Sequence, residues 1–137
     1  MDTTVAMKML KNCEQFKALK KAELQKLFSS ATKKHFAADD TIYQKGEPSN
    51  DKFCMIVSGT VKIVRKDGST LRLIGNSQVI GEIAVSDSQQ TRTVTMIATG
   101  PTDVLEWDVN QVKEKMPNVW KSLLALAGTH LSNFYEE

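Results

Sequence analysis

The stretch Val-Ile-Gly-Glu-Ile-Ala-Val-Ser-Asp-Ser-Gln-Gln-Thr-Arg-Thr-Val-Thr, residues 79–95, decides the interpretation of the whole chain. Gly81 permits a backbone conformation or a close approach that a Cβ would hinder. A helical turn that starts there leaves backbone N–H groups without internal partners, and such groups suit an anion. Arg92 adds a planar, permanently charged fork that matches two phosphate oxygens, and Glu82 offers an acceptor for a hydroxyl. An anionic group beside a hydroxyl indicates a nucleotide.

Two segments carry a resemblance to a known family. Gly81-Glu82-Ile83-Ala84-Val85, followed by Arg92-Thr93, resembles the phosphate-binding cassette of cyclic nucleotide-binding domains. Gly46-Glu47-Pro48 ahead of residues 53–61 is similar to that family's Gly-Glu turn and its aromatic-apolar strand. The likeness covers roughly residues 10–134. It implies a single domain over residues 1–137 that works by recognition and switching rather than by chemistry.

The resemblance also implies a role for each residue of the cassette, residues 79–95. Arg92 and the backbone amides of the short turn would bind the cyclic phosphate, and Glu82 would bind the ribose hydroxyl. Thr93 would contact the phosphate or a purine, and a threonine there is compatible in the family with cyclic GMP as well as cyclic AMP. The ligand is therefore expected to be cAMP or cGMP. The candidate site residues are Gly81, Glu82, Ile83, Ala84, Val85, Arg92 and Thr93.

Several residues depart from the family pattern, and these departures support an alternative. Ser77 stands where the pattern usually has Gly and Val94 where it has a small Ala, and added bulk of this kind typically costs about 1–3 kcal/mol. Gln78 and Ile80 replace a common acidic residue and a common Phe. The alternative is a scaffold that keeps the fold, binds no nucleotide and serves in protein association. In that case Arg92 pairs with a carboxylate such as Asp87, and Glu82 caps its own segment.

The middle of the chain, residues 36–107, has the pattern of a β-rich unit. Short apolar runs are separated by turn signals about 8–12 residues apart, which is typical of a small antiparallel sandwich or barrel. Asp67-Gly68 between two such runs predicts a hairpin. Residues 93–98 and 104–107 add two strands after the cassette, with a turn at 99–102. We expect about eight strands in a jelly-roll-like β-roll, a double-stranded β-helix.

Both ends of the chain show the spacing of amphipathic helices. Residues 1–35 are expected to form N-terminal helices, with Thr3 or Thr4 as the first cap and a second helix from residues 20–23. Eight lysines between Lys8 and Lys34 are expected on solvated helix faces rather than in a nucleic-acid interface.

Residues 108–137 are expected to form C-terminal helices. Asp108 caps residues 109–115, and Pro117 lies in the first turn of a last helix. The apolar stripe of that helix is Trp120, Leu123, Leu124, Ala127, Leu131 and Phe134. The resemblance implies that this helix covers the ligand or pairs with its counterpart in a dimer or with an effector protein. Packing on the β-roll is the simpler alternative.

Composition narrows the class of protein. A length of 137 residues fits one domain with its own core, and a net charge of +2 is too small for a general polyanion surface. Cys13 and Cys54 are far apart and are expected to be reduced. No apolar run approaches the length of about 20 residues that a bilayer span needs, and no secretory signal is evident. We expect a cytoplasmic protein that contacts no membrane and, by this chain alone, no DNA.

Catalysis is not expected. The two histidines, His35 and His130, are predicted on different elements, and neither accompanies a second metal ligand at a useful spacing. Ser58, Ser86 and Cys54 have no predicted His or Asp partner in a nucleophile pattern.

Overall fold

The computed structural model describes residues 2–81 and 91–134, with side chains as far as residue 125. Within these residues the chain forms four α-helices, one short 3₁₀ turn at Glu14–Phe16 and eight strands. The helices are α1 Thr3–Asn12, α2 Lys21–Ser30, α3 Val109–Lys115 and α4 Pro117–Phe134. The strands are β1 Thr32–Phe36, β2 Thr41–Tyr43, β3 Lys52–Ser58, β4 Val61–Val64, β5 Thr70–Ile74, β6 Val79–Ile80, β7 Thr95–Ala98 and β8 Thr102–Asp108.

The strands form two antiparallel four-stranded sheets. One sheet has the order β1-β8-β3-β6 and the other the order β2-β7-β4-β5. Most neighbours in each sheet are far apart in sequence, which is the mark of a chain wound back and forth as a β-roll. The hairpin of β4 and β5 is the local exception, because Asp67 accepts bonds from Ser69 N and Oγ and Gly68 takes a positive φ. The expected β-roll of about eight strands with flanking helices is confirmed.

The strand β3 divides the apolar core into two parts, because successive side chains point to opposite faces of a sheet. Phe53, Met55 and Val57 point toward the helices and join a cluster with residues of all four helices. Cys54 and Ile56 point between the two sheets. We call the first cluster the helix-side core and the second the roll interior. Phe53, Met55, Cys54 and Ile56 are fully buried, so a single strand serves both cores.

Trp107 is the largest side chain buried in the helix-side core. Its ring stacks on Phe53 at a centroid distance of 5.4 Å and meets the edge of Phe16 at 6.1 Å. Its indole N–H donates to Leu27 O at 2.7 Å, which fixes α2 against β8. The helices are therefore attached to the sheet by packing and by one buried polar bond.

Helix boundaries agree with the sequence at most positions. Asp108 accepts from the backbone N–H groups of Asn110 and Gln111 and caps α3, and Pro117 begins α4. The prediction for α1 was wrong in one respect, because Asp2, rather than Thr3 or Thr4, accepts from the first free N–H groups. A carboxylate oxygen is a better acceptor there than a hydroxyl already inside the helix.

Three boundaries differ from the prediction. β1 begins at Thr32, so Lys33 and Lys34 lie on a strand rather than on a helix face. β7 begins at Thr95 rather than at residue 93, and β8 extends from Thr102 to Asp108. The long pairing of β8 with both β1 and β3 explains the last difference, since cross-strand bonds recruit residues at either end. Among the described residues, no helix is both long and apolar enough to cross a bilayer.

Candidate functional site

The site is built around Gly81, which follows β6 with a φ of +88°. A Cβ at this position would lie 2.7 Å from Tyr43 Cε2 and 3.0 Å from Arg92 Nη1. Real Cβ atoms do not approach other heavy atoms that closely, and an L residue rarely adopts this φ. Gly81 is therefore required twice, for the turn and for the close packing of Tyr43 and Arg92.

Arg92 is fixed at both its backbone and its side chain. Its backbone N–H donates to Glu47 O at 2.8 Å, and its carbonyl accepts from Gly46 N at 2.9 Å. Its side chain is only 5% exposed. Nη1 donates to Gly81 O at 3.0 Å and Nη2 donates to Ser49 O at 2.8 Å. The guanidinium thus joins the end of β6 to the loop between β2 and β3.

Tyr43 forms the floor beneath the guanidinium. Arg92 Cζ lies 3.6 Å from the centroid of the Tyr43 ring, well inside the range of a cation–π contact. The Tyr43 hydroxyl is buried beside the Cys54 thiol and has no hydrogen bond to a nitrogen or oxygen atom of the described residues. Burial, with the nearby Cys54 thiol as the next cause, raises the pKa of Tyr43 well above its usual value. The phenol therefore keeps its proton at neutral pH.

The positive charge of Arg92 has no carboxylate partner in the described part of the chain. Ion pairs in that part of the chain join Lys17 to Glu14, Lys34 to Glu106 and Lys52 to Asp108. A buried cation normally requires a paired anion, because removal from water is costly. Two carbonyl dipoles and one ring face compensate only part of this cost. The arrangement is suited to an anion.

A cavity of about 310 Å³ opens beside Arg92 at the mouth of the β-roll. Its walls come from β1, β2, β3, β8 and the loop at residues 47–50. Charged residues of both signs line it, among them Lys34 and Glu106, which form an ion pair at 2.9 Å. Tyr43 and Arg92 also line it.

The loop between β2 and β3 connects Arg92 to the C-terminal helices. Ser49 O receives the Arg92 bond, and two residues later Asp51 O accepts from Val109 N at 2.8 Å. Asp51 Oδ2 also accepts from Asn110 Nδ2 at 3.1 Å. Asn50 and Asp51 have φ values of +53° and +58°, in the left-handed region. The loop is thus a short, strained link from the guanidinium to the start of α3.

The structure brings together only part of the predicted site. Gly81 and Arg92 are in contact, and Thr93 is half-buried beside Arg92. The other predicted residues, together with the proposed partner of Arg92 in the alternative, lie outside the described residues: Glu82, Ile83, Ala84, Val85 and Asp87.

Two participants escaped the sequence analysis. Ser49 acts through its main-chain carbonyl, which any residue would supply, so no residue type could have indicated it. Tyr43 lies in a short strand where an aromatic side chain is ordinary. Its position under Arg92 depends on the pairing of β2 with β7. Only the tertiary fold reveals either contact.

The four departures from the family pattern have local explanations. Ser77 has a φ of +66°, and its hydroxyl donates to Met9 O of α1 at 2.8 Å. Gln78 Oε1 accepts from Gly75 N at 2.7 Å within the turn. Ile80 and Val94 are buried in the roll interior. The polar departures therefore support a turn, and the apolar ones fill the core.

Ser58, His35 and Asp103 lie together, an arrangement that was not predicted from the sequence. Ser58 was expected to lack an acidic partner, but its hydroxyl donates to Asp103 Oδ2 at 3.4 Å. His35 Nδ1 lies 2.8 Å from Asp103 Oδ1. Both side chains bond the carboxylate rather than each other, so no base faces the Ser58 hydroxyl. This order differs from a serine nucleophile, in which the histidine bonds the hydroxyl directly.

The cysteines and possible metal ligands offer no reactive centre within the described residues. Cys13 and Cys54 are buried and form no disulfide with each other. Burial raises the pKa of the Cys13 thiol to about 11, which keeps it protonated. The described part of the chain contains no group of three His, Cys, Asp or Glu side chains placed to hold a metal ion.

Comparison with known proteins gives one family. Residues 33–118 match the model of the cyclic nucleotide-binding domain. A comparison with curated protein sequences found no match.

Solved structures with the same fold include several named nucleotide-binding proteins. A cyclic nucleotide-binding domain from Methylobacillus flagellatus is 20% identical with a TM-score of 0.74, over 93% of this chain and 76% of that one. The regulatory domain of Toxoplasma gondii protein kinase A, crystallised with cAMP, is 19% identical with a TM-score of 0.79, over 93% and 50%. The regulatory subunit of a cAMP-independent protein kinase A from Trypanosoma brucei is 18% identical with a TM-score of 0.79, over 93% and 45%. This chain spans half or less of the two kinase-subunit chains.

Proposed function

This chain belongs to the cyclic nucleotide-binding domain family, and we propose that it is a regulatory module, residues 1–137, that binds cAMP or cGMP at the cassette. The phosphate binds Arg92 and the amides of residues 83–85, and Glu82 binds the ribose hydroxyl. Gly81 supplies the turn, and Thr93 contacts the phosphate or the purine. The module recognises its ligand and switches, and it catalyses no reaction.

One observation carries the proposal. Arg92 is a buried cation with no carboxylate partner among the described residues, held with its fork at the end of β6. Charge-assisted bonds from a guanidinium to phosphate are among the strong ones in proteins. Two of its N–H groups are used by carbonyls, and a guanidinium has five. The contacts with the described residues therefore leave guanidinium N–H groups for an anion.

The proposed switch uses the loop at residues 49–51. An anion on Arg92 competes with Ser49 O for the positive charge, and Asp51 in the same loop holds Val109 and Asn110 of α3. A ligand that weakens the bond from Arg92 to Ser49 O is therefore expected to change the contacts of Asp51 with α3. The population shift is limited to the difference in affinity of the ligand for the two arrangements.

A second candidate function is the nucleotide-free scaffold. It is favoured by the same guanidinium, which is already held by Ser49 O, Gly81 O and the Tyr43 ring without a ligand. The fold alone does not decide, because it occurs in the Toxoplasma domain crystallised with cAMP and in the Trypanosoma subunit described as cAMP-independent. In this case the exposed part of α4, which includes Leu124 at 39% exposure, contacts a partner protein.

Thermal unfolding of the full chain with cAMP, cGMP and linear 5′-AMP separates the two functions. A ligand at 100 times its dissociation constant adds about 2.7 kcal/mol to the free energy of unfolding. We expect a cyclic nucleotide to raise the midpoint and 5′-AMP to have a much smaller effect. Absence of a shift with either cyclic nucleotide at millimolar concentration would leave only the scaffold.

Hydrogen exchange tests the switch. A bound cyclic nucleotide is expected to change the exchange of α3 and α4 amides in the wild type, and this change should be smaller in Asn110→Ala, which loses the bond to Asp51. Asn118→Ala is the matched control, because it loses a comparable side-chain bond, to Glu23 at 3.1 Å, away from the loop. An equal response in both variants would exclude the loop as the link.

A further inference from the structure

We infer that Tyr43 is a positioning residue for the ligand, in that its ring holds the Arg92 guanidinium flat and aims its free N–H groups at the bound anion. This inference rests on the proposed function, since it assigns a role at the same site. Tyr43 lies on β2, outside the cassette, residues 79–95.

Geometry is the first support. Arg92 Cζ lies over the Tyr43 ring at 3.6 Å from its centroid, which is direct contact with the ring face. The two carbonyl bonds, to Gly81 O and Ser49 O, restrain the fork in its own plane. They do not stop the plane from tilting. The ring supplies the missing restraint, because a flat surface under a flat group resists tilt.

Packing is the second support. Tyr43 is only 8% exposed, and its ring edge lies where a side chain on Gly81 would be. The absence of a Cβ at Gly81 is therefore what admits the ring beneath the guanidinium. Gly81, Tyr43 and Arg92 form one tightly packed triplet, in which movement of the ring moves the fork.

The hydroxyl of Tyr43 separates this role from ordinary core packing. A buried polar atom without a partner costs free energy, and an apolar ring would avoid that cost. The ring rather than the hydroxyl therefore explains the contact with Arg92. Phenylalanine should accordingly perform the positioning, whereas leucine of similar hydrophobicity should not, because it has no π face.

Calorimetric titration of the full chain with cAMP and cGMP tests the inference. Tyr43→Leu is expected to weaken binding by between about twofold and thirtyfold, the range of an exposed to a desolvated cation–π contact. Tyr43→Phe is expected to restore most of that loss. Val104→Ala is the matched control, because Val104 is fully buried in the roll interior and lies on β8, whereas the side-chain hydrogen bonds and ring contact described for Arg92 go to Gly81, Ser49 and Tyr43. It should lose stability with little loss of affinity.

A double-mutant comparison shows whether Tyr43 acts through Arg92. In an Arg92→Ala background, Tyr43→Leu should cause no further loss of affinity, because the guanidinium it positions is gone. An independent further loss would mean that Tyr43 contacts the ligand or shapes the pocket directly, and would overturn the inference. Unchanged affinity in Tyr43→Leu would also overturn the inference. The same would follow if Tyr43→Phe bound the nucleotide as weakly as Tyr43→Leu.

A measurement without ligand keeps the inference testable if no cyclic nucleotide binds. The Nε–H proton of Arg92 lies near the ring face, so its NMR signal should be shifted upfield in the wild type and in Tyr43→Phe, and return to the usual position in Tyr43→Leu. An unshifted wild-type signal, or an equally ordered side chain in Tyr43→Leu, would refute positioning. A shifted signal without nucleotide binding would instead refute the proposed function alone.

Discussion

Trp107 and Tyr43 are both buried aromatic residues with a polar atom, but they differ in how that polar atom is satisfied. Trp107 in the helix-side core gives its N–H to Leu27 O at 2.7 Å and is packed between Phe53 and Phe16. Tyr43 in the roll interior has a hydroxyl without a nitrogen or oxygen partner among the described residues and carries a cation on its face. Trp107 lies on β8 of one sheet and Tyr43 on β2 of the other, so the two residues belong to different parts of the core.

The difference separates a region built for stability from a region built for binding. Buried polar groups in native proteins are nearly always bonded, so a polar group left unbonded calls for an explanation. The indole N–H of Trp107 is satisfied within the protein, by Leu27 O. Around Tyr43 the described residues leave one hydroxyl and one positive charge incompletely satisfied, which is typical of a binding site without its ligand.

The largest expected effect is on the helix-side core. Trp107→Ala should lower the free energy of unfolding by about 3–5 kcal/mol, since it removes a large buried ring together with the indole N–H that donates to Leu27 O. Urea denaturation followed by circular dichroism measures this. A loss below about 1 kcal/mol would show that the helices are held by something other than this packing, and would erase the contrast with Tyr43.

Arg92→Ala is the next test and acts on the other region. It should weaken cyclic nucleotide binding by about 1.5–3 kcal/mol, or tenfold to a hundredfold, the scale of a hydrogen bond to a charged group. Isothermal titration calorimetry measures the change. Arg65→Ala is the control, because Arg65 is an exposed residue of the β4–β5 hairpin whose side chain donates to Ser69 Oγ and Thr70 O within that hairpin. Equal affinity in both variants would remove Arg92 from the site.

Two glycines with the same backbone angle sharpen the comparison further. Gly81 and Gly68 both have a φ of +88°, but a Cβ on Gly68 would meet nothing within 4 Å. Alanine therefore strains the backbone equally at both positions, and only at Gly81 does it also strike Tyr43 and Arg92. We expect Gly81→Ala to be about 1–3 kcal/mol less stable than Gly68→Ala. Similar unfolding midpoints for the two variants would show that Tyr43 and Arg92 can accommodate a methyl group on residue 81 without a clash.

The smallest effect concerns pH in the helix-side core. Burial raises the pKa of Cys13 from 9.0 to about 11, so the folded state retains a proton that the unfolded state loses. The contribution of this thiol to the free energy of unfolding is fully present below pH 9 and is lost as the pH rises toward 11. Between pH 8 and pH 10 the wild type should lose about 1 kcal/mol more than Cys13→Ala. Equal losses in urea titrations of the two proteins would mean that the thiol titrates normally.

The fold was predictable because its signals are local. Asp67-Gly68 specifies a hairpin and Asp108 caps α3, both from neighbouring residues. The cap of α1 and the ends of β1, β7 and β8 were misplaced. β1 begins at Thr32 because β8 is available to pair with it, a fact that residues 32–35 do not contain.

The site was predictable only in part, for a related reason. Gly81 and Arg92 have side-chain or backbone requirements that residue type reveals, and they do meet. The residues that orient Arg92 do so through a main-chain carbonyl and through a ring face. A carbonyl is common to every residue, and a tyrosine in a strand is unremarkable. Such contacts follow from three-dimensional packing rather than from a motif.

Asn50 and Asp51 set a limit on how robust this domain can become. Left-handed conformations at successive residues with side chains cost free energy that glycine would not incur. Replacing both with glycine should increase the free energy of unfolding. It would also remove the Asp51 carboxylate that accepts from Asn110, and so weaken the link between Arg92 and α3. Selection for heat resistance alone would therefore be expected to produce variants that remain folded at higher temperature but transmit ligand binding to α3 poorly.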